Sequence, residues 1–216
     1  MNTDFIRQQM VEQQVRTWDV FDPEVLQTLG DISRDRYVPA EFAHCAYADA
    51  EIPIGFGQLM FRPSLDGRIL QAVNIQPGES VLEVGTGTGY LTACISRLAA
   101  SVTSIDLHQS FVDAARKKLA GDSADNITLA KMDASAELPN NEFDVVIVSA
   151  SLPKQDDRLA ALLRPGGRLL TFIGKSPAMT VTLVSRDQGD ELNARGLFES
   201  DIPPLVQTSD QSHFTF

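Results

Sequence analysis

The ten residues VLEVGTGTGY (81–90) carry the densest chemical signal in the chain. Val81, Leu82 and Val84 have the branched, apolar character of a buried strand. Glu83 sits within that run, and Gly85, Gly87 and Gly89 recur at every second position before Tyr90 opens a helical stretch. Glycine lacks a Cβ, so such a turn bends tightly and lets a ligand approach the main chain. At the carboxyl end of a strand in an open α/β sheet, this is where ligands sit. Asp106 follows 21 positions after Gly85, at the end of the next strand-like run. A carboxylate there can accept hydrogen bonds from both hydroxyls of a ribose. Asp133, just past the third run, has two readings, an acceptor for an adenine amino group or the N-cap of a helical turn. The implied ligand contains adenosine. It is not a dinucleotide by spacing, because in G-x-G-x-x-G, whose helix receives a pyrophosphate, the third glycine comes one residue later than Gly89.

These residues need a scaffold, and the chain supplies one in order. Residues 4–18 read as an amphipathic helix, with Ile6, Met10, Val11 and Val15 at helical spacing and Trp18 as a packing residue. Asp22-Pro23 is a helix start, an N-cap carboxylate followed by proline. Arg34 to Pro39 form an irregular region, residues 47–63 a loop punctuated by Pro53, Gly55, Gly57 and Pro63, and residues 64–74 a helix. From residue 80 strand and helix alternate: strands 80–84, 102–106, 126–131, 143–149 and 168–173, helices 90–99, 109–120 and about 155–163, and a short turn at 133–137. In helix 109–120, Asp113 and Lys117 form an i,i+4 pair, and Pro165-Gly166-Gly167 ends helix 155–163. Alternation of this kind specifies a parallel, doubly wound α/β sheet. Residues 179–186 and 191–202 read as an antiparallel hairpin turning at Gly189, closed by Pro203-Pro204. Residues 206–216 form a tail in which Phe214 and Phe216 are available to dock.

Composition sets the outer limits. With 216 residues, 43% of them hydrophobic, the chain can bury a full core. A net charge of −11 opposes a phosphate-backbone partner, so no nucleic acid is expected. No signal-peptide pattern and no apolar run of membrane-spanning length is present, which places the protein in the cytoplasm, away from membranes. Cys45 and Cys94 read as small hydrophobes rather than a disulfide, and His44, His108 and His213 have no metal or triad spacing.

The pattern E-x-G-x-G-x-G at residues 83–89 resembles motif I of the class I S-adenosylmethionine-dependent methyltransferases. The acids after strands two and three, FDVVIVSA at strand four, LLRPGGRLLTFIG at strand five and the terminal hairpin follow the order of that superfamily. The resemblance implies a Rossmann-like, mostly parallel seven-stranded sheet. Residues 1–75 would be a helical extension carrying the substrate loop, and 76–205 the S-adenosylmethionine-binding core. It assigns the cofactor to Glu83, Gly85, Thr86, Gly87, Thr88, Gly89, Asp106, Leu107 and Asp133. Glu83 would take the cofactor's ammonium group, directly or through water, or bond the loop's own N–H groups.

A narrower resemblance rests on AYADAEIPIGFGQLMFRP (46–63), RDRYVPAEF (34–42), FDPEVLQTL (21–29) and DIPPL (201–205). These are similar to segments of the protein-L-isoaspartate O-methyltransferases, over about residues 10–205. The implied reaction is methylation of the α-carboxylate of isoaspartyl residues in damaged proteins or peptides, with Ile54, Gly55, Gln58, Met60, Phe61 and Arg62 facing the substrate. The chain departs from the family where Thr-Ile-Ser-Gln becomes Leu59-Met60-Phe61-Arg62. The family serine that orients the substrate carboxylate aligns with Phe61, so no catalytic residue is assigned. Loss of one orienting hydroxyl costs about 2–4 kcal/mol, roughly two to three decades in rate. Arg62 or backbone N–H groups are the alternative holders of the carboxylate. Two other readings follow from the same departure: a different acceptor beside Met60 and Phe61, or a non-catalytic, cofactor-binding interaction module. The sequence leaves the oligomeric state open.

Overall fold

The computed structural model describes residues 3–122 and 125–206. The N-terminal helical run is present: α1 (Thr3–Met10) continues through a π-helical turn (Val11–Val15) and a 3-10 turn (Arg16–Trp18). Met10, Val11 and Val15 face the core. Trp18 does not. It is 43% exposed, with the guanidinium groups of Arg62 and Arg68 lying 5.1 and 5.8 Å from its ring centroid. Its apolar spacing suggested packing, but a flat aromatic face also serves as a platform for cations at the surface. Helix α2 (Pro23–Asp31) starts as the sequence indicates, with the Asp22 carboxylate accepting from the N–H groups of Glu24 and Val25.

The segment read as a loop contains a small antiparallel ribbon, β1 (Ile52–Gly55) paired with β2 (Gln58–Met60). Its tip, Gly55-Phe56-Gly57, lies entirely at positive φ (99°, 52° and 70°), so the two glycines permit a turn that Phe56 joins against the usual preference. Helix α3 (Pro63–Val73) follows and stops at the left-handed Asn74.

The sheet is built from β3 (Ser80–Val84), β4 (Ser101–Asp106), β5 (Ile127–Lys131), β6 (Phe143–Leu152), β7 (Leu163–Lys175), β8 (Ala178–Arg186) and β9 (Leu192–Ser200). Their order is β5-β4-β3-β6-β7-β8-β9. The first five are parallel, and β8 and β9 add antiparallel. Successive residues of the central strands enter opposite cores. Val81, Val145 and Ile147 join a cluster with the N-terminal helices, and Leu82, Val84, Val146 and Val148 join one with Leu159 and Leu163. That two-sided burial accounts for the unbroken apolar runs. Helices α4 (Tyr90–Leu98) and α5 (Gln109–Leu119) lie close to their expected spans. Among the described residues, no helix is long and apolar enough to cross a membrane.

Three local expectations are corrected. Helix α6 covers only Asp157–Ala160, because Leu163 already pairs with Phe143 as the start of β7. Pro165–Gly167 therefore make a bulge within a strand. A side chain at Gly167 would come within 2.8 Å of the Arg164 carbonyl. Asp113 pairs with Arg116 at 3.2 Å rather than with Lys117. Pro203-Pro204 do not simply end the sheet: Ser151 donates to the Pro203 carbonyl and accepts from the Leu205 N–H, bringing the last described residues back to the end of β6. His213, Phe214 and Phe216 lie outside the described residues.

The N-terminal layer is locked to the sheet by a buried cation. Arg34 is fully buried, and its Nη1 donates to Asp66 Oδ2 at 2.7 Å while Nη2 donates to the Phe61 carbonyl. Its guanidinium carbon stands 4.7 Å from the Tyr90 ring centroid. Breaking such a pair from one side leaves a buried charge alone. Arg34→Met should therefore cost about 3–5 kcal/mol in urea unfolding at pH 8, and less at pH 5, where the isolated Asp66 carboxyl takes up a proton.

Candidate functional site

The functional cleft opens where β3 runs out. Gly85, Gly87 and Gly89 hold φ of 104°, 50° and 84°. At Gly85 and Gly89 the requirement is doubled by crowding. A Cβ at Gly85 would meet Ser149 Cβ at 3.2 Å, and one at Gly89 would meet Ala115 Cβ at 2.9 Å. The N–H groups of Gly85 and Thr86 donate to the Ile105 carbonyl, at 2.8 and 3.3 Å, which ties the turn to β4.

Glu83 is fully buried. Its Oε2 accepts from Thr92 Oγ1 (2.5 Å) and Ser104 Oγ (2.6 Å), and Ser104 in turn accepts from Thr86 Oγ1 at 2.6 Å. Its Oε1 is buried without a partner. Glu83 thus does not bond the N–H groups of Gly85, Thr86, Gly87 or Gly89, which donate to Ile105, Asp106 and Thr86. Burial pushes its carboxyl up to about 8, against the pull of the two hydroxyls. Asp106 Oδ2 accepts from the Gly87 N–H at 2.9 Å and Oδ1 from the His108 N–H at 2.8 Å. Asp133 Oδ1 accepts from Ser135 N and Oγ, at 3.0 and 2.6 Å, so it does cap the following turn.

Two adjoining cavities occupy the cleft. The first, about 490 Å³, lies among the ribbon residues Ile54, Gln58, Leu59, Met60 and Phe61, the turn residues Gly85 to Thr88, and Asp66, Glu83, Tyr90 and Phe111. The second, about 470 Å³, is bounded by Leu107, His108, Met132, Asp133, Ala150 and the returning segment Pro204–Val206. Gln58, Gly85, Asp106 and Ser149 line both. Among the described residues, no lysine or arginine lines either cavity.

Most of the expected residues converge here: Glu83, Gly85, Thr86, Gly87, Thr88, Asp106, Leu107 and Asp133 from the sheet, and Ile54, Gln58, Met60 and Phe61 from the ribbon. Gly89 sits behind the cleft as the first turn of α4, and Gly55 at the ribbon tip. Arg62 is elsewhere, over Trp18, and so is not placed to hold an acceptor carboxylate. Phe61 is 7% exposed, and its ring centroid is 5.9 Å from that of Phe172. The cleft wall is apolar where a hydroxyl would otherwise stand. Sequence reasoning missed Asp66, whose partner Arg34 is 32 residues away, and Ser149, which the rule of ligands at strand carboxyl ends would have found. It also missed the ribbon tip. Phe56, 61% exposed, stacks on His108 with centroids 4.0 Å apart and meets Phe111 edge-on.

The model of the family described as Protein-L-isoaspartate(D-aspartate) O-methyltransferase (PCMT) matches residues 6–209. The chain belongs to the protein-L-isoaspartate O-methyltransferase family. A Methylorubrum populi protein-L-isoaspartate O-methyltransferase is 33% identical over 206 residues, 95% of this chain and 97% of that one. One from Koribacter versatilis is 35% identical over 201 residues, 93% and 90% of the two chains. A Plasmodium falciparum protein-L-isoaspartate O-methyltransferase structure, in complex with S-adenosyl-L-homocysteine, superposes with a TM-score of 0.81 at 19% identity, covering 93% of this chain and 98% of that one. The chain therefore shares its overall fold with that structure.

The raised Glu83 carboxyl makes stability depend on pH. Between about 4.5 and about 8 the folded state keeps a proton that the unfolded chain releases, so its contribution is complete at the acid end and lost as pH rises through that window. In scanning calorimetry of the ligand-free protein, the Tm should fall from pH 5 to pH 8.5 more steeply than that of Glu83→Gln. Parallel curves would remove Glu83 as the titrating group.

Proposed function

We propose that this chain is an S-adenosylmethionine-dependent protein carboxyl methyltransferase acting on isoaspartyl residues of proteins or peptides. The observation that carries the reading is the lining of the cleft: the carboxyl groups of Asp66, Glu83, Asp106 and Asp133 line it and, among the described residues, no lysine or arginine does. A pyrophosphate finds no lysine or arginine to pair with there. A ligand bearing an ammonium and a sulfonium group suits the same lining: near its positive charge the buried Glu83 carboxyl, pushed up to about 8 in the empty cleft, would release its proton and leave the unpartnered Oε1 as acceptor for the ammonium. Asp106 remains the residue to receive the ribose hydroxyls and Asp133 the adenine amino group, with Leu107 beside the ring. The glycine turn would wrap the methionine half. Relatives named for this activity over nearly the full chain support the acceptor class.

When bound, the donor supplies a methyl group: its carbon–sulfur bond breaks, the electron pair leaving on sulfur, as a carboxylate oxygen forms the new carbon–oxygen bond. The acceptor carboxylate is already ionised at pH 7, so this chain's residues need remove no proton. Their work is to exclude water, hold the two reactants in line and set the local charge. The ribbon wall of Ile54, Gln58, Met60 and Phe61 is the acceptor side, with Gly55 at its tip. Phe61 supports one further reading, an acceptor with an apolar group beside the methylated atom. The open cleft favours both catalytic readings over a binding module.

The test is transfer of labelled methyl to an isoaspartyl peptide and to its aspartyl twin. Base-labile label is expected on the isoaspartyl peptide alone, with Phe61→Ser raising kcat/KM by roughly tenfold or more. Label on neither peptide, from protein that binds S-adenosylhomocysteine, would refute the acceptor class while leaving the cofactor reading intact.

A further inference from the structure

The apolar wall at Phe61 raises the question of what orients an acceptor carboxylate in this chain. We propose that Ser149, acting with Gln58, is the positioning donor for the acceptor carboxylate, a role that rests on the acceptor reading above.

If adenosine occupies the cavity of Leu107 and Asp133, and the amino-acid half the cavity of Glu83 and the glycine turn, the atom joining them lies where the cavities meet. Four residues line both: Gln58, Gly85, Asp106 and Ser149. Any acceptor oxygen must come within reach of that point. Gly85 has no side chain. Asp106 repels a carboxylate, and its two oxygens already accept from the Gly87 and His108 N–H groups. Gln58 and Ser149 are left as side chains able to donate.

At this junction one hydrogen bond is unmet. Ser149 Oγ is buried and has no partner. Buried hydroxyls without partners are rare in native folds and call for an explanation. A ligand group that supplies the missing acceptor is one, and a carboxylate is the strongest acceptor available to a hydroxyl.

The backbone explains why the residue is held there. Val84 and Val148 are register partners, so Ser149 and Gly85 are the next residues of adjacent parallel strands. The 3.2 Å separation between Ser149 Cβ and a Cβ built on Gly85 shows how closely they face each other. On the other side, the β6–β7 register shifts between Ile147 and Ser151, which leaves Ser149 in an irregular stretch of β6 beside the cleft before pairing resumes at Ser151. No proton moves in the transfer, so Ser149 keeps its hydrogen and acts only by fixing the oxygen's position.

The experiment is calorimetric binding of the isoaspartyl peptide to the protein saturated with S-adenosylhomocysteine, a readout that needs no turnover. Ser149→Ala is expected to weaken peptide binding by roughly tenfold or more, with the S-adenosylhomocysteine Kd unchanged within about twofold. Ser149→Thr, which keeps the hydroxyl, should restore peptide affinity. In turnover, kcat/KM for the peptide should fall in Ser149→Ala, and Phe61→Ser in that background should recover part of it. Wild-type peptide affinity in Ser149→Ala would overturn the proposal alone, as would parallel loss of S-adenosylhomocysteine and peptide, the sign of a structural role. Absence of peptide binding by the wild-type complex would overturn the acceptor reading and this proposal together.

Discussion

A single guanidinium holds the two banks of the cleft together. Arg34 is sealed from water, and the cost of stripping its hydration is offset only because Asp66, the Phe61 carbonyl and the Tyr90 ring all meet it. Those three partners belong to α3, to the chain leaving β2 and to the first residue of α4. The ribbon that walls the acceptor side and the helix that follows the glycine turn are thus fixed to one charge. None of the four groups can move far without leaving another unsatisfied in a low-dielectric interior.

The same placement shapes the field of the cleft. The chain has 18 basic against 29 acidic residues, and several of its arginines are spent on internal ties. Arg168 clasps Glu79, and Arg158 clasps Asp156. In the cleft, Arg34 pairs with Asp66 from behind, and Asp106 and Glu83 are met by N–H and hydroxyl donors. An interior that retains several acids without lining cations is unfavourable when empty, and burial raises the Glu83 and Asp66 carboxyls accordingly, with Arg34 pulling Asp66 the other way. A cationic ligand relieves that strain on binding.

Much of this was legible in the chain. The alternating runs from residue 80 and the every-second glycine fixed the sheet, its turn and most residues around the donor pocket, because those signals are local and repeated. The failures share a cause. Leu159 and Leu163 fit a helix as well as a strand, and Phe143, 20 residues upstream, decides the matter for Leu163. Asp66 lies on the buried side of its helix, and Arg34 is the cation that makes its burial tolerable. Trp18 has helical spacing but is drawn to Arg62 and Arg68 at the surface. Phe56 and His108 meet across 52 positions of sequence. Each outcome depends on a non-local partner that no window of sequence contains.

That last pair has a further consequence. The ribbon leaves the N-terminal layer, crosses the glycine turn, where Ile54 would be 3.2 Å from a Cβ on Gly87, and comes to rest with Phe56 on His108. Under the proposed reading, this one piece of chain covers the donor and walls the acceptor. Release of spent donor and choice of acceptor would then depend on the same ribbon. A substitution there would act on both at once. Speed and fidelity would be coupled by architecture rather than by any shared catalytic group.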